Sequence, residues 1–183
     1  MIKITGNGKK VQSGIYIGRP SPLGNPYNTK PSSITNQKTV SLQESLKKYR
    51  VYLIKELINK ESKSYKIIKT LIQRVKDNKD IQLNCWCCYK EYDMDNFIYQ
   101  DNQCHGQIIT EVIYDLINKT YELDIIEFGD KYEIKGQIPV FITPWIKTFQ
   151  TKEGEYIIER NKTNDNIIIK LKYIIDLYKM IEI

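Results

Sequence analysis

The spacing of apolar residues predicts strands at the N-terminus, followed by a long irregular segment. MIKIT (1–5) and GIYIG (14–18) alternate apolar and other residues next to glycines, which is typical of short strands. The turn residues between them predict a hairpin loop. Residues 19–40 are polar and hold four of the six prolines, so a long loop is expected there.

Three amphipathic helices are predicted after this loop. Ser41 is a cap residue with Glu44 three positions later, and apolar residues then recur at helical spacing. A second helix is predicted over residues 64–76, and a third opens at Cys104. A short apolar strand over residues 81–87 lies between these two helices, which is the pattern of an α/β domain.

The pattern changes after Lys119. YELDIIEF, KYEIKGQIPVFI and GEYIIER predict strands, and an apolar stripe from about Asn164 predicts a closing helix. We therefore expect an α/β core over residues 1–119 and an α+β extension over residues 120–183. The extension is expected to pack on the same core, so that the chain forms a single domain overall.

Composition narrows the classes of partner. The chain carries 28 Lys and Arg against 22 Asp and Glu, a net charge of +6, which favours anionic partners such as nucleotides, phosphates or nucleic acid. The lysines are spread along the chain and no nucleic-acid-binding motif is present. Nucleic acid is therefore a possible partner that no sequence motif supports. Without a long apolar run or a signal-peptide stretch, we expect a cytoplasmic protein with no membrane partner.

The loop from Gly18 to Asn28 is the first candidate site, because it directly follows a predicted strand. Its glycines and prolines restrict the backbone, and Arg19 is one of only four arginines in the chain. A planar guanidinium at the end of a strand suits bidentate recognition of phosphate. The alternative is a rigid connector whose arginine pairs with a surface carboxylate.

The cysteines and the single histidine form the second candidate site. CWCC (85–88) ends the predicted strand, and CHG (104–106) opens the third helix, whose positive end attracts anions. Without an export signal, the cysteines are expected to be reduced thiols. One interpretation is zinc bound by Cys85, Cys87, Cys104 and His105. The others are a ligand or catalytic site that uses His105 or Cys104, and thiols that only fill the core.

Together these motifs resemble the family called domain of unknown function 4326. The order YIGRPSPLGNPY, KYRVYL, CWC and CHG carries the resemblance, over about residues 14–118. It implies functional roles for residues of the loop, the first helix and the cysteine segments: Gly18, Arg19, Pro20, Leu23, Gly24, Asn25, Pro26, Tyr49, Arg50, Cys85, Cys87, Cys104 and His105. It also implies a compact α/β fold, with a Rossmann-like three-layer core by analogy.

Two features depart from the pattern of that family. Fifteen residues separate Cys88 from Cys104, where the family has a shorter, proline-containing loop. Gln107 stands where the family often has an acidic residue, two positions after the histidine. If that carboxylate is a catalytic or metal-orienting group, its absence weakens the case for an enzyme.

The leading hypothesis is a pocket between the Gly18–Asn28 loop and the Cys104–Gly106 helix start that binds a phosphate-bearing, nucleotide-like molecule. Arg19 and the loop amides would bind phosphate, and Trp86 or Tyr27 would stack on a base. The candidate ligand-binding residues are Gly18, Arg19, Pro20, Ser21, Leu23, Gly24, Asn25, Tyr27, Arg50, Trp86 and Gly106.

The biological setting is inferred from codon bias. The chain has no alanine and 31 isoleucines, which indicates A+T-rich coding DNA such as that of low-GC bacteria, their phages and large DNA viruses. In a phage or virus, the protein would sequester a host nucleotide signal in the host cytoplasm, a form of immune evasion. The alternatives are an enzyme that acts on a nucleotide or nucleoside bond through His105 or Cys104, and an interaction module stabilised by zinc.

Overall fold

The computed structural model describes residues 2–6, 14–86, 92–93, 104–136 and 155–183. The chain divides into two compact units, Met1–Ile113 and Tyr114–Ile183. The elements that begin in the first unit are β1 (Ile2–Thr5), β2 (Ile15–Tyr16), β3 (Tyr27–Asn28), β4 (Gln37–Lys38), α1 (Leu42–Ile58), α2 (Lys63–Lys76), β5 (Ile81–Asn84), β6 (Tyr92–Asp93) and α3 (His105–Asn118). Those of the second unit are β7 (Asp124–Phe128), β8 (Lys131–Lys135), β9 (Glu155–Glu159) and α4 (Lys162–Lys179).

The main sheet of the first unit has the strand order β2-β5-β1-β6. The strand β5 lies between β1 and β2 and is parallel to both, whereas β6 pairs antiparallel with β1. The predicted hairpin between β1 and β2 is therefore wrong, because each strand pairs with β5 and not with the other.

The two faces of this sheet differ in polarity. Ile2 and Ile4 of β1 are in register with Ile81 and Leu83 of β5, and all four side chains are buried. On the opposite face the Thr5 hydroxyl donates to the Asn84 side-chain oxygen at 2.6 Å. The structure thus shows a mixed α/β fold, and the Rossmann-like three-layer arrangement stays a prediction.

The predicted helices of the first unit are present. The Ser41 hydroxyl accepts a hydrogen bond from the Glu44 N–H at 3.1 Å, and Glu44 reaches back to the Val40 N–H at 2.8 Å. The start of α2 is capped in the same way by Ser62, which accepts from the Tyr65 N–H at 3.0 Å. These side chains satisfy amides that have no partner within the helix, so each helix begins where its cap residue stands.

The strand predicted over residues 81–87 is shorter than expected, because β5 ends at Asn84. Cys85 therefore follows the strand, although its N–H still donates to the Thr5 carbonyl oxygen at 3.0 Å. Cys87 and Cys88 lie outside the described residues.

The second unit contains strands and a closing helix after Lys119, as predicted, but residues 137–142 of the second predicted strand lie outside the described residues. Its sheet has the antiparallel order β7-β8-β9. One face of this sheet and one face of α4 form a common core of Leu123, Tyr132, Ile134, Ile158, Ile168, Leu171 and Ile175. No helix among the described residues is long and apolar enough to cross a membrane.

Candidate functional site

A cleft of about 460 Å³ opens at the carboxyl ends of β2 and β5 in the first unit. Its lining comes from the segment between Gly18 and Ile34, from Leu42, Ser45 and Leu46 of α1, from Cys85 and Trp86 after β5, and from His105 of α3. Both segments singled out from the sequence therefore contribute to one cleft. Ligands of α/β sheets commonly bind at this end of parallel strands.

Side chains of α1 and α2 bind the backbone of the loop that follows β2. Tyr49 donates to the Leu23 carbonyl oxygen at 2.6 Å, and Ser64 donates to the Pro22 carbonyl oxygen at 3.0 Å. The Asn25 side-chain amide donates to the Ser45 hydroxyl at 3.0 Å. The loop is consequently fixed to the helices rather than free in solvent, which keeps the cleft preformed.

Two successive turns bring the loop back on itself. The Ser21 N–H donates to the Gly18 carbonyl oxygen at 2.9 Å, and the Gly24 N–H donates to the Ser21 carbonyl oxygen at 2.8 Å. A Cβ atom on Gly24 would lie 3.0 Å from the Arg19 Cα and from the Ser21 carbonyl oxygen, so a larger residue would have to displace this backbone. These turns determine where Arg19 stands.

The charges on the cleft wall favour an anion. Arg19 and Lys30 line it, and no carboxylate belongs to the described lining. The Nη1 atom of Arg19 is buried, and no hydrogen-bond partner for it lies among the residues that the structure describes. A buried guanidinium nitrogen without an acceptor is costly, and an anion in the cleft would supply one.

Aromatic side chains stand beside this cationic wall. Trp86 is 54% exposed, and its indole N–H donates to the Tyr16 hydroxyl at 2.9 Å. That hydroxyl donates in turn to the Arg19 carbonyl oxygen at 2.9 Å. A Cβ atom on Gly18 would lie 2.5 Å from the Tyr16 hydroxyl oxygen, so glycine at this position makes room for the Tyr16 ring. Trp86 and Arg19 are thus linked through Tyr16.

Tyr27, farther along the same segment, also lines the cleft. Its ring packs edge-on against the Tyr52 ring, with 6.4 Å between their centroids. Burial raises the pKa of Tyr52, and the neighbouring Glu56 and Tyr27 raise it further. Tyr52 therefore adds no negative charge near the cleft at neutral pH.

Cys85, Cys104 and His105 form a buried cluster at the cleft wall. Their two sulfur atoms and an imidazole nitrogen all lie within 4.8 Å of one another. His105 Nε2 lies 2.7 Å from the Ile17 carbonyl oxygen, and because a carbonyl only accepts, Nε2 carries the hydrogen. Nδ1 lies 3.6 Å from Cys85 Sγ. These atoms can bind a metal or move a proton between a thiol and the imidazole.

The start of α3 is built from the CHGQ segment. The Cys104 N–H donates to the Gln107 side-chain oxygen at 2.9 Å, and Cys104 Sγ accepts from the Gly106 N–H at 3.3 Å. Gln107 therefore completes a capping box in which cysteine replaces the usual serine or threonine. The signal for this role, a glutamine three positions after the cap residue, was present in the sequence.

Arg50 is not part of the cleft. Its guanidinium forms a buried ion pair with Glu111 that links α1 to α3, and its expected role in ligand binding stays a prediction. The partner lies 61 positions away, and no local spacing connects the two residues.

Lys30 lines the cleft but was not predicted from the sequence, because the candidate loop ended at Asn28.

Some of the other expected site residues line the cleft and some do not. Gly18, Arg19, Asn25, Tyr27, Trp86 and His105 line the cleft. Pro20, Ser21, Leu23, Gly24, Cys104 and Gly106 do not, and of these Leu23 and Cys104 belong to the buried core. Cys85, weighed in the sequence only as a metal ligand or core thiol, lies on the lining, whereas Cys104 does not.

The chain belongs to the family described as Domain of unknown function (DUF4326), whose model matches residues 2–115. The match confirms the resemblance seen in the sequence motifs and extends it to β1. It covers more than half of the chain, including every described residue of the cleft lining. No curated protein and no solved structure matches the chain.

Proposed function

We propose that this DUF4326 member binds a phosphate-bearing, nucleotide-like small molecule in the cleft of its first unit. The observation that carries the proposal is the buried Arg19 Nη1 atom, which has no acceptor among the described residues, on a wall without carboxylates. A phosphate oxygen at Nη1 would form a charge-assisted hydrogen bond. The cleft volume of about 460 Å³ is in the range of small-molecule sites.

The aromatic residues favour a ligand with a ring as well as a charge. Trp86 is about half exposed and lines the same cleft as Arg19, so its ring is available to stack on a base. Lys30, which is exposed, adds positive charge at the cleft without a fixed geometry. A nucleotide combines both features in one molecule.

Sequestration and catalysis are two outcomes of such binding. For a phage or viral protein in the host cytoplasm, tight binding without turnover would remove a host nucleotide signal. Catalysis at a nucleotide or nucleoside bond is favoured by the 3.6 Å separation of Cys85 Sγ and His105 Nδ1, with the imidazole oriented by the Ile17 carbonyl. In that case Cys85, which lines the cleft, is a better nucleophile candidate than Cys104.

The experiment is calorimetric titration of the full chain with a matched panel of ligands. The panel contains nucleosides, mononucleotides, dinucleotides and cyclic dinucleotides, and chromatography after each titration detects any product. We expect phosphate-bearing compounds to bind and the corresponding nucleosides to bind much more weakly. Binding with unchanged ligand supports sequestration, whereas product that disappears in Cys85→Ser supports catalysis. Failure of all phosphate-bearing compounds to bind would overturn the proposal.

The finer description of the fold is also a proposal. We infer that the first unit is a reduced Rossmann-like core with helices on both faces of its sheet. The parallel order β2-β5-β1, with α1 and α2 in the connection from β2 to β5, supports this inference. An experimental structure with helices on only one face of this sheet would contradict it.

A further inference from the structure

We infer that Cys85, Cys104 and His105 bind one Zn²⁺ ion, with a fourth coordination position open to the cleft. Two thiolates and one imidazole are donors that zinc prefers. All three side chains are buried, and their donor atoms lie within 4.8 Å of one another although they come from the end of β5 and the start of α3. The fold therefore assembles this donor set from two separate segments.

The geometry of one pair already fits tetrahedral zinc. Zinc lies about 2.3 Å from sulfur and about 2.0–2.1 Å from nitrogen, so a tetrahedral angle separates the two ligand atoms by about 3.6 Å. Cys85 Sγ and His105 Nδ1 are 3.6 Å apart. No separation in the cluster exceeds 4.8 Å, so a side-chain movement of at most about 1 Å gives a zinc-ligand spacing.

The surrounding hydrogen bonds hold the ligands in the form that binds metal. His105 donates Nε2–H to the Ile17 carbonyl oxygen at 2.7 Å, which leaves the Nδ1 lone pair directed away from that contact. This is the usual outer contact of a zinc-bound histidine. The Gly106 N–H donates to Cys104 Sγ at 3.3 Å and stabilises charge on that sulfur. On binding, Zn²⁺ replaces the two thiol protons, which are released to solvent.

The open position faces the cleft because Cys85 and His105 both line it. Water occupies this position in the free protein, and an anionic group of the bound molecule replaces the water beside Arg19. Only this last step rests on the proposed function. Zinc binding by the three residues does not depend on it.

The test is the zinc content of the full chain, measured by native mass spectrometry and elemental analysis after incubation with Zn²⁺ and gel filtration. We expect one zinc per chain. Cys85→Ser, Cys104→Ser and His105→Asn should each weaken zinc binding by more than the 10- to 100-fold that is typical for loss of an outer contact. The matched control Cys88→Ser should retain zinc. Zinc retained in Cys85→Ser, or lost in Cys88→Ser, would overturn the inference.

Cobalt substitution of the wild-type chain provides a second measurement that needs no variant. Tetrahedral Co²⁺ bound by two thiolates gives visible ligand-field bands and near-ultraviolet thiolate charge-transfer bands. Wild-type protein that binds neither Zn²⁺ nor Co²⁺ contradicts the inference even if the variants fail to fold. Nucleotide titration of zinc-loaded and chelator-treated protein separates the two proposals, because failure to bind phosphate in both states leaves the metal result unaffected.

Discussion

Arg19 is the residue on which the proposed anion site depends most. The turns that end at Gly24 determine its position, and its buried Nη1 has no acceptor among the described residues. Lysine would keep the positive charge but lose the planar arrangement of donors. The residue type, and not only its charge, therefore matters at this position.

Arg19→Lys should weaken binding of a phosphate-bearing ligand by about ten- to a hundred-fold, because one charge-assisted hydrogen bond contributes about 1.5–3 kcal/mol. The free energy of unfolding should not fall, because the substitution removes a buried guanidinium nitrogen that has no acceptor among the described residues. Calorimetry and urea denaturation of the same protein measure both quantities. Arg74→Lys, an exposed position on α2, is the matched control and should change neither. A destabilised Arg19→Lys protein whose folded fraction binds normally would contradict this prediction.

Arg50 illustrates the opposite case, an arginine whose partner is part of the protein. Arg50→Met should destabilise the protein by about 3–5 kcal/mol, because Glu111 would remain as a buried charge without its partner. The double variant Arg50→Met/Glu111→Met should recover most of that loss. Urea denaturation followed by circular dichroism compares the three proteins. If a fully folded Arg50→Met protein no longer binds nucleotide, Arg50 takes part in ligand binding.

At the scale of elements, the sequence predicted best what local chemistry determines. The cap at Ser41 and the start of α3 at His105 follow from contacts within a few positions of the chain. The sequence predicted that β5 is a strand but not which strands lie beside it, because its pairing with β1 and β2 depends on residues far away in sequence. The same limit applies to the site, where Arg19 was identified from its loop and the Arg50–Glu111 pair was not.

The contact between α4 and β7 in the second unit should depend on pH. Lys172 donates a hydrogen bond to Glu127 at 2.8 Å and, together with the nearby Arg160, lowers the pKa of that carboxyl below its usual value. Because the pKa is lowered in the folded state, the contact stabilises the unit at neutral pH and is lost as the pH falls through the folded-state value.

Carboxyl-carbon NMR titration of the full chain tests this prediction. Lys172→Met should raise the pKa of Glu127 towards its usual value, whereas Lys170→Met, an exposed position on the same helix, should leave it unchanged. A Glu127 titration curve that is identical in wild type and Lys172→Met would show that the ion pair does not form in solution.

At the scale of the whole molecule, the net charge of +6 should make ligand binding depend on salt. The affinity for a nucleotide should fall between about 0.1 M and 1 M salt, because the screening length shrinks from about 10 Å to about 3 Å. The corresponding nucleoside should show little change. Calorimetric titrations at both salt concentrations make the comparison. Equal salt dependence for the two compounds would indicate that the phosphate does not interact with the basic groups of the cleft.

The place of β5 in the main sheet has a consequence for the order in which the protein forms during synthesis. Thr5 and Asn84 are hydrogen-bonded although 79 positions separate them in the sequence. Neither β1 nor β2 has a parallel partner until β5 has been synthesised. Contacts of such long range slow folding. While the nascent chain ends before residue 81, β1 and β2 are open strand edges and the Cys85 wall of the cleft does not yet exist. The cleft is therefore completed late in translation, and a prematurely terminated chain would expose apolar strands that attract other chains.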